Sequence, residues 1–196
     1  AETDQDKLGI LRFHERLRPA FAGSRLFRFE SEMNESSTIF AVSTGSGRAG
    51  VAVIRISGAG ASECFSSFGV TRPAPRQASV RRLRDMNGAT VDEALTLWLP
   101  GPATATGEDM AEFHVHGAPA IVRAVLGQLG TIPGFALAEP GAFTYRAFKN
   151  RRLDLLQVEG LADVLAAETE AQRRLAMRQF LGQSSSVFEA WRKSLL

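Results

Sequence analysis

Thiol chemistry is almost absent from this sequence: Cys64 is the single cysteine among 196 residues. An intrachain disulfide and a cysteine-based metal site are thereby excluded, which fits a reducing compartment such as the cytoplasm. As a small apolar residue in a helix, Cys64 reads more naturally as packing than as a catalytic thiol. Long apolar runs are missing as well. The longest, Val51–Ile56 and Ala118–Leu126, fall far short of the ~20 residues a membrane-spanning helix requires. No GxxxxGK[ST] segment occurs, so this chain carries no P-loop of its own and should not hydrolyse a nucleoside triphosphate by itself. A GxSxG elbow is also lacking, and no hydrolase triad is visible. Net charge is small, +2 from 23 basic and 21 acidic residues.

What is present is ordinary for a globular chain: 44% hydrophobic and 22% charged residues, in a length sufficient for one domain with a core and part of another. The basic residues are unevenly spread. Arg72, Arg76, Arg81, Arg82 and Arg84 fall in one stretch, and Arg146, Lys149, Arg151 and Arg152 in another. Such clusters can attract a phosphate-rich partner, although charge alone favours a solvated face. Residues 1–32 mix six basic and six acidic side chains with scattered Leu and Phe, unlike a transit peptide or a secretory signal. Met33, just ahead of the first convincing strand, reads as the natural start, which makes 1–36 an atypical extension. A helix with a docking role is the alternative.

From Thr38 onward a pattern emerges. Thr38–Ser43 and Val51–Ser57 are β-branched runs flanking a glycine-rich connection. A short helix is expected over Gly60–Phe68, strands over Val91–Leu99 and Met110–His116, a helix over Pro119–Leu129 and a short strand over Phe135–Ala138. The mixture points to an α/β or α+β domain. After Arg152 the pattern becomes helical. Asp154 with Gln157 forms a capping pair, and Val158, Leu161, Leu165, Leu175 and Phe180 share a stripe that ends at Gly182. A further helix is expected after Ser184–Ser186.

Gly45-Ser46-Gly47-Arg48-Ala49-Gly50 matches GxGxxG, but Val51–Ile56 behind it are strand formers. A dinucleotide fingerprint must open a helix, so that reading fails on context. Glu112, His114 and His116 alternate on one strand and project to one face, while Ala111, Phe113 and Val115 point to a core. Two histidines and a glutamate can bind a metal, yet no further ligand cluster lies nearby. A polar ligand-binding or subunit-contact surface is the better reading. Arg55 interrupts an apolar strand. It either pairs with an anion or carboxylate or snorkels at a strand edge, and the pattern leaves both open.

Four segments together resemble the MnmE (TrmE) family of tRNA-modification GTPases. They are Ser43–Gly58; Pro100-Gly101-Pro102 with Thr106–Glu112 and His116-Gly117; Ala138–Thr144 with Arg146-Ala147-Phe148 and Asn150–Leu155; and Val158–Asp163 with Ala167–Gln172. Their order and spacing cover roughly residues 37–196. The resemblance implies a folate-binding, dimerising α/β domain over 37–152, akin to the tetrahydrofolate-binding fold of aminomethyltransferases. The beginning of an all-α domain would follow over 153–196. It implies Arg55, Glu112 and Arg152 as folate contacts, no catalytic residue and no metal ligand. The implied cofactor is a tetrahydrofolate derivative, 5-formyl- or 5,10-methylene-tetrahydrofolate. GTP, Mg²⁺ and K⁺ would belong to a GTPase domain that this sequence does not contain. Implied partners are a second copy in a homodimer, the flavoprotein MnmG (GidA) and tRNA, whose wobble uridine receives an aminomethyl-type group. The sequence departs from the family at Ala142, usually glutamate; at Lys149, usually apolar or small; and at Arg152, commonly lysine. Two alternatives stand beside this one: a structural dimerisation module that no longer holds folate, and a stand-alone aminomethyltransferase-like folate-binding protein.

Overall fold

Period-two alternation of apolar residues builds a six-stranded mixed sheet. The structure is a computed structural model that describes residues 37–45, 47–183, 191 and 193–195. The extension over 1–36 lies outside the described residues, and of the helix expected after Ser184–Ser186 only residues 191 and 193–195 are described, all helical. The strands are β1 (Thr38–Val42), β2 (Ala49–Ser57), β3 (Ser79–Arg84), β4 (Thr90–Leu99), β5 (Met110–Gly117) and β6 (Phe135–Leu137), in the spatial order β3-β4-β5-β2-β1-β6. All neighbours are antiparallel except β6, which runs parallel to β1. The glycine-rich segment leads into β2 and not into a helix, as its β-branched sequel requires.

One face of the sheet carries the core. Phe40, Ala52, Ile54, Ile56, Ala94, Trp98, Phe113 and Val115 are buried there. Two helices, α1 (Glu63–Ser67) and α2 (Pro119–Leu129), contribute Cys64, Phe65, Val125 and Leu129, and Phe68 joins them from the end of α1. Phe113 receives Phe65 and Phe68 edge-on, each at 5.5 Å between ring centroids, a geometry that adds about 1 kcal/mol per pair beyond area burial. Cys64 is fully buried, and burial pushes its thiol above the ordinary value, so it serves as packing. Gln128 ties the helices to the sheet by donating from Nε2 to the carbonyls of Ser67 and Arg84, at 2.5 and 3.1 Å.

Strand β3 is absent from the sequence reading because its arginines mask it. They lie along a sheet edge, where charge discourages pairing with another chain. The first basic cluster is largely engaged by the protein itself. Arg72 stacks over Trp98 at 5.1 Å, Arg76 donates to Ala103 O at 2.6 Å, Arg82 meets Glu93 at 3.5 Å, and Arg84 donates to Gly88 O at 3.0 Å.

Two further differences concern helices. Helix α3 (Ala142–Lys149) forms where aromatic and β-branched residues obscured any helical pattern. The single stripe expected after Asp154 divides into α4 (Leu155–Ala166) and α5 (Glu170–Phe180). Asp154 and Gln157 do form a capping box, but Thr169 and Gln172 form a second one, and Ala167 is extended between them. The break shifts the helical phase, so Leu165 and Leu175 end 81% and 69% exposed while Val158 remains buried. Gly182, at φ 76°, ends the hairpin as expected.

The two helices meet at Gly160, where a Cβ would lie 2.5 Å from Phe180 N. Gly160→Ala gains about 1 kcal/mol of helix propensity but forces two backbones apart, an overpacking cost of about 1–3 kcal/mol or more. Amides of α4 and α5 should exchange hydrogen roughly tenfold faster in the variant while the sheet amides keep their protection. Unchanged exchange in both helices would show that the hairpin tolerates the methyl group.

Candidate functional site

The site begins with strand register. Arg55 of β2 sits directly opposite Glu112 of β5, Glu112 is opposite Leu97 of β4, and His114 lies between Val53 and Leu95. All of these are half-buried on the face of the sheet opposite the core. Directly opposed side chains on one face lie within reach of each other. Arg55 donates from Nε to Glu112 Oε1 at 3.0 Å, with the two side chains 33% and 15% exposed. Of the two readings left open for Arg55, pairing is therefore the one realised. His114 Nε2 stands 3.2 Å from the other carboxylate oxygen, Oε2. A carboxylate held on each oxygen by one donor still has a lone pair on each to offer a ligand. Among the described residues, the terminal guanidinium nitrogens of Arg55 have no further hydrogen-bond partner.

His116 turns away from this pair. Its Nδ1 lies 2.7 Å from Asp92 Oδ1, and its backbone N–H donates to Asp92 Oδ2 at 2.8 Å. Glu112, His114 and His116 therefore share a face without converging. No cluster of three His, Cys, Asp or Glu side chains among the described residues is arranged to hold a metal ion.

Arg152 lies elsewhere, on the connection between α3 and α4 (Leu155–Ala166), against the loop that joins β4 to β5. It donates from Nε to Thr104 O at 3.2 Å and bonds neither Arg55 nor Glu112. Its stem packs on Gly107, where a Cβ would come within 3.2 Å of Arg152 Cγ and where φ is +82°, so glycine is required twice over. The loop reaches the strand that carries Arg55 through Ser57, whose Oγ lies 2.7 Å from Thr106 Oγ1 and donates to Glu108 Oε2 at 2.8 Å.

A residue that sequence reasoning assigned to a basic patch holds this loop. Arg146 of α3 is only 6% exposed. It donates to Glu108 Oε2 at 2.8 Å, to Ser57 O at 3.2 Å and to Ser37 O at 2.7 Å. Asn150 adds a bond from Nδ2 to Thr106 O at 2.7 Å. The second cluster is consequently not a continuous phosphate-attracting surface. Glu108 and Arg146 are 38 residues apart, and no local pattern links them. Ala142 is buried at the start of α3, and Lys149 is exposed in its last turn, where a cation suits the helix dipole.

Chemically, the face offers a carboxylate acceptor beside unpaired guanidinium donors, in a half-buried setting where such bonds strengthen. It suits a planar heterocycle that presents adjacent N–H donors and a neighbouring carbonyl. Among the described residues no helix is long and apolar enough to cross a membrane.

Comparison with known proteins agrees with the family resemblance read from the sequence. Residues 38–152 match the family described as GTP-binding protein TrmE N-terminus. The chain is 59% identical over 163 residues to the tRNA modification GTPase MnmE of Methylobacterium sp. (strain 4-46), covering 82% of this chain and 37% of that protein. It is 54% identical over 158 residues to that of Methylorubrum populi, covering 80% and 36%. Against that of Novosphingobium aromaticivorans it is 51% identical over 162 residues, covering 82% and 37%. The chain thus spans little more than a third of the length of these curated relatives.

Proposed function

The chain belongs to the TrmE (MnmE) family of GTP-binding proteins, whose N-terminal region it matches, and from that membership we propose that it is the folate-binding, dimerising portion of a tRNA-modifying GTPase. In this reading residues 37–152 form the folate domain, with the tetrahydrofolate-binding fold of aminomethyltransferases, and 153–196 begin a helical domain. The mixed α/β sheet is compatible with that fold.

The observation that carries the proposal is the Arg55–Glu112 pair, half-buried on the sheet face away from the core. The pterin ring presents a ring N–H beside an amino group, two parallel donors that a carboxylate accepts together. Glu112 retains an accepting lone pair on each oxygen for them. The unpaired nitrogens of Arg55 face the neighbouring carbonyl. Arg152 is available to the anionic glutamate tail, and its fork can also bind a carboxylate bidentately where the family commonly has lysine. Bound there, the folate supplies the one-carbon unit; the side chains orient it.

The remainder of the reaction lies with the larger assembly. GTP hydrolysis, with Mg²⁺ and K⁺, belongs to the family's GTPase domain, and this sequence contains no GxxxxGK[ST] segment. A second copy, the flavoprotein MnmG (GidA) and tRNA are the proposed partners in the cytoplasm, and the product is a modified wobble uridine. Calorimetric titration of the chain with 5-formyltetrahydrofolate, with solution mass measured alongside, tests the reading. Saturable binding by a dimer is the expected result. A well-folded dimer that takes up no folate would favour a purely structural dimerisation module, and Ala142→Glu would then be the first variant to try. A monomer that binds folate would instead favour the stand-alone aminomethyltransferase-like alternative.

A further inference from the structure

We propose that His114 is the positioning residue that keeps the Arg55–Glu112 pair open for its ligand; the inference rests on the folate reading above. An arginine and a carboxylate left to themselves favour the bidentate fork, in which two guanidinium N–H groups take both oxygens. Here the pair is joined through Arg55 Nε and Glu112 Oε1 alone, at 3.0 Å. The second oxygen is engaged by His114 Nε2 at 3.2 Å. If Oε2 were released, the carboxylate could rotate onto the terminal nitrogens of Arg55. That closed pair would consume the donors meant for a ligand carbonyl and turn the acceptor pair away from its N–H groups.

The placement of His114 follows from the strand. Residues two apart on one strand share a face at a spacing of about 6.6 Å, so the imidazole must lean back along β5 to reach Glu112. Val53 and Leu95 flank it on the neighbouring strands, as their register with His114 requires. A carboxylate only accepts, so the ring nitrogen facing Glu112, Nε2, is one that carries a proton. The side chain is 28% exposed, less than Arg55 at 33% and more than Glu112 at 15%. It therefore stands within the same half-buried face as the pair it braces. The ligand edge that this open arrangement recognises is a 2-amino-4-oxopyrimidine: two adjacent donors for Glu112 and one carbonyl for Arg55.

Titration of wild type, His114→Leu and His114→Gln with 5-formyltetrahydrofolate provides the test, with thermal midpoints and the ¹⁵N-detected tautomer of His114 recorded in parallel. His114→Leu should bind about tenfold more weakly, the loss of one hydrogen bond to a charged group. His114→Gln, which keeps an N–H donor able to reach Glu112, should recover to within roughly threefold of wild type by the same reckoning. Neither variant should melt appreciably earlier, and the wild-type imidazole should carry a proton on Nε2. Wild-type affinity in His114→Leu, a glutamine variant as weak as the leucine one, or an Nδ1–H tautomer would each overturn the inference while leaving the folate reading intact. Absence of saturable binding by the wild type would overturn both.

Discussion

Arg146→Met should destabilise the protein by about 3–5 kcal/mol, the range for removing one partner of a buried ion pair. The side chain is 7% exposed and Glu108 25%, so water can take over only part of what is lost. Methionine fills much of the volume but donates nothing. It strands Glu108 Oε2, which keeps only the Ser57 hydroxyl, and removes the guanidinium donors from the carbonyls of Ser37 and Ser57. Unpaired buried groups of this kind cost about 1–3 kcal/mol each, more for the charge. Arg146→Lys should fall between, since one ammonium cannot reproduce the fork that spans these acceptors. Denaturant unfolding of the three proteins measures the difference. A loss below about 1 kcal/mol in Arg146→Met would mean that the pair behaves like a solvated surface contact. Affinity for folate should also fall in Arg146→Lys, because the 104–108 loop against which Arg152 packs is anchored by the same side chain.

Glu112→Ala should weaken 5-formyltetrahydrofolate binding by roughly a hundredfold or more, since two charge-assisted hydrogen bonds together contribute about 3 kcal/mol or more. The fold should survive. Arg55 is a third exposed and can hydrate its guanidinium, so the stability change should stay within about 1 kcal/mol. Glu112→Gln separates shape from charge. The amide keeps the volume but offers one acceptor and an added donor against two ligand donors, and binding should again be lost. Calorimetry on the variants, with their thermal midpoints, decides between a binding role and a structural one. Unchanged affinity in Glu112→Ala would remove the site assignment.

Much of the sheet was legible because burial on one face imposes period two. Ala111, Phe113 and Val115 declared a core face, and that face placed Glu112 and His114 on the other. The helix starting at Leu155 was legible from Asp154 and Gln157 because a capping box is a local device, complete within four residues. The box at Thr169 was equally local, yet an apparent apolar stripe running through it concealed the break, and Leu165 and Leu175 were read as one stripe with Val158 although they stay exposed where Val158 is buried. Strand β3 was hidden for a related reason: edge strands carry charge against aggregation, which erases the apolar alternation that identifies central ones.

Side-chain pairing was not legible. The sequence alone left Arg55 suspended between an ion pair and a snorkelling cation, because its partner is 57 residues away. Arg146 looked like one more member of a basic cluster until α3 turned it inward to Glu108. Spacing within a segment determines which face a residue occupies, since helix and strand periods are properties of the local backbone. Which residues meet across segments depends on strand order and register, and these are set by the packing of the whole core. The sequence by itself therefore determined the polar face, the family and the candidate contacts Arg55, Glu112 and Arg152. Only the tertiary structure decided that Arg55 and Glu112 are bonded, that His114 holds the second oxygen, and that Arg152 waits on a separate loop.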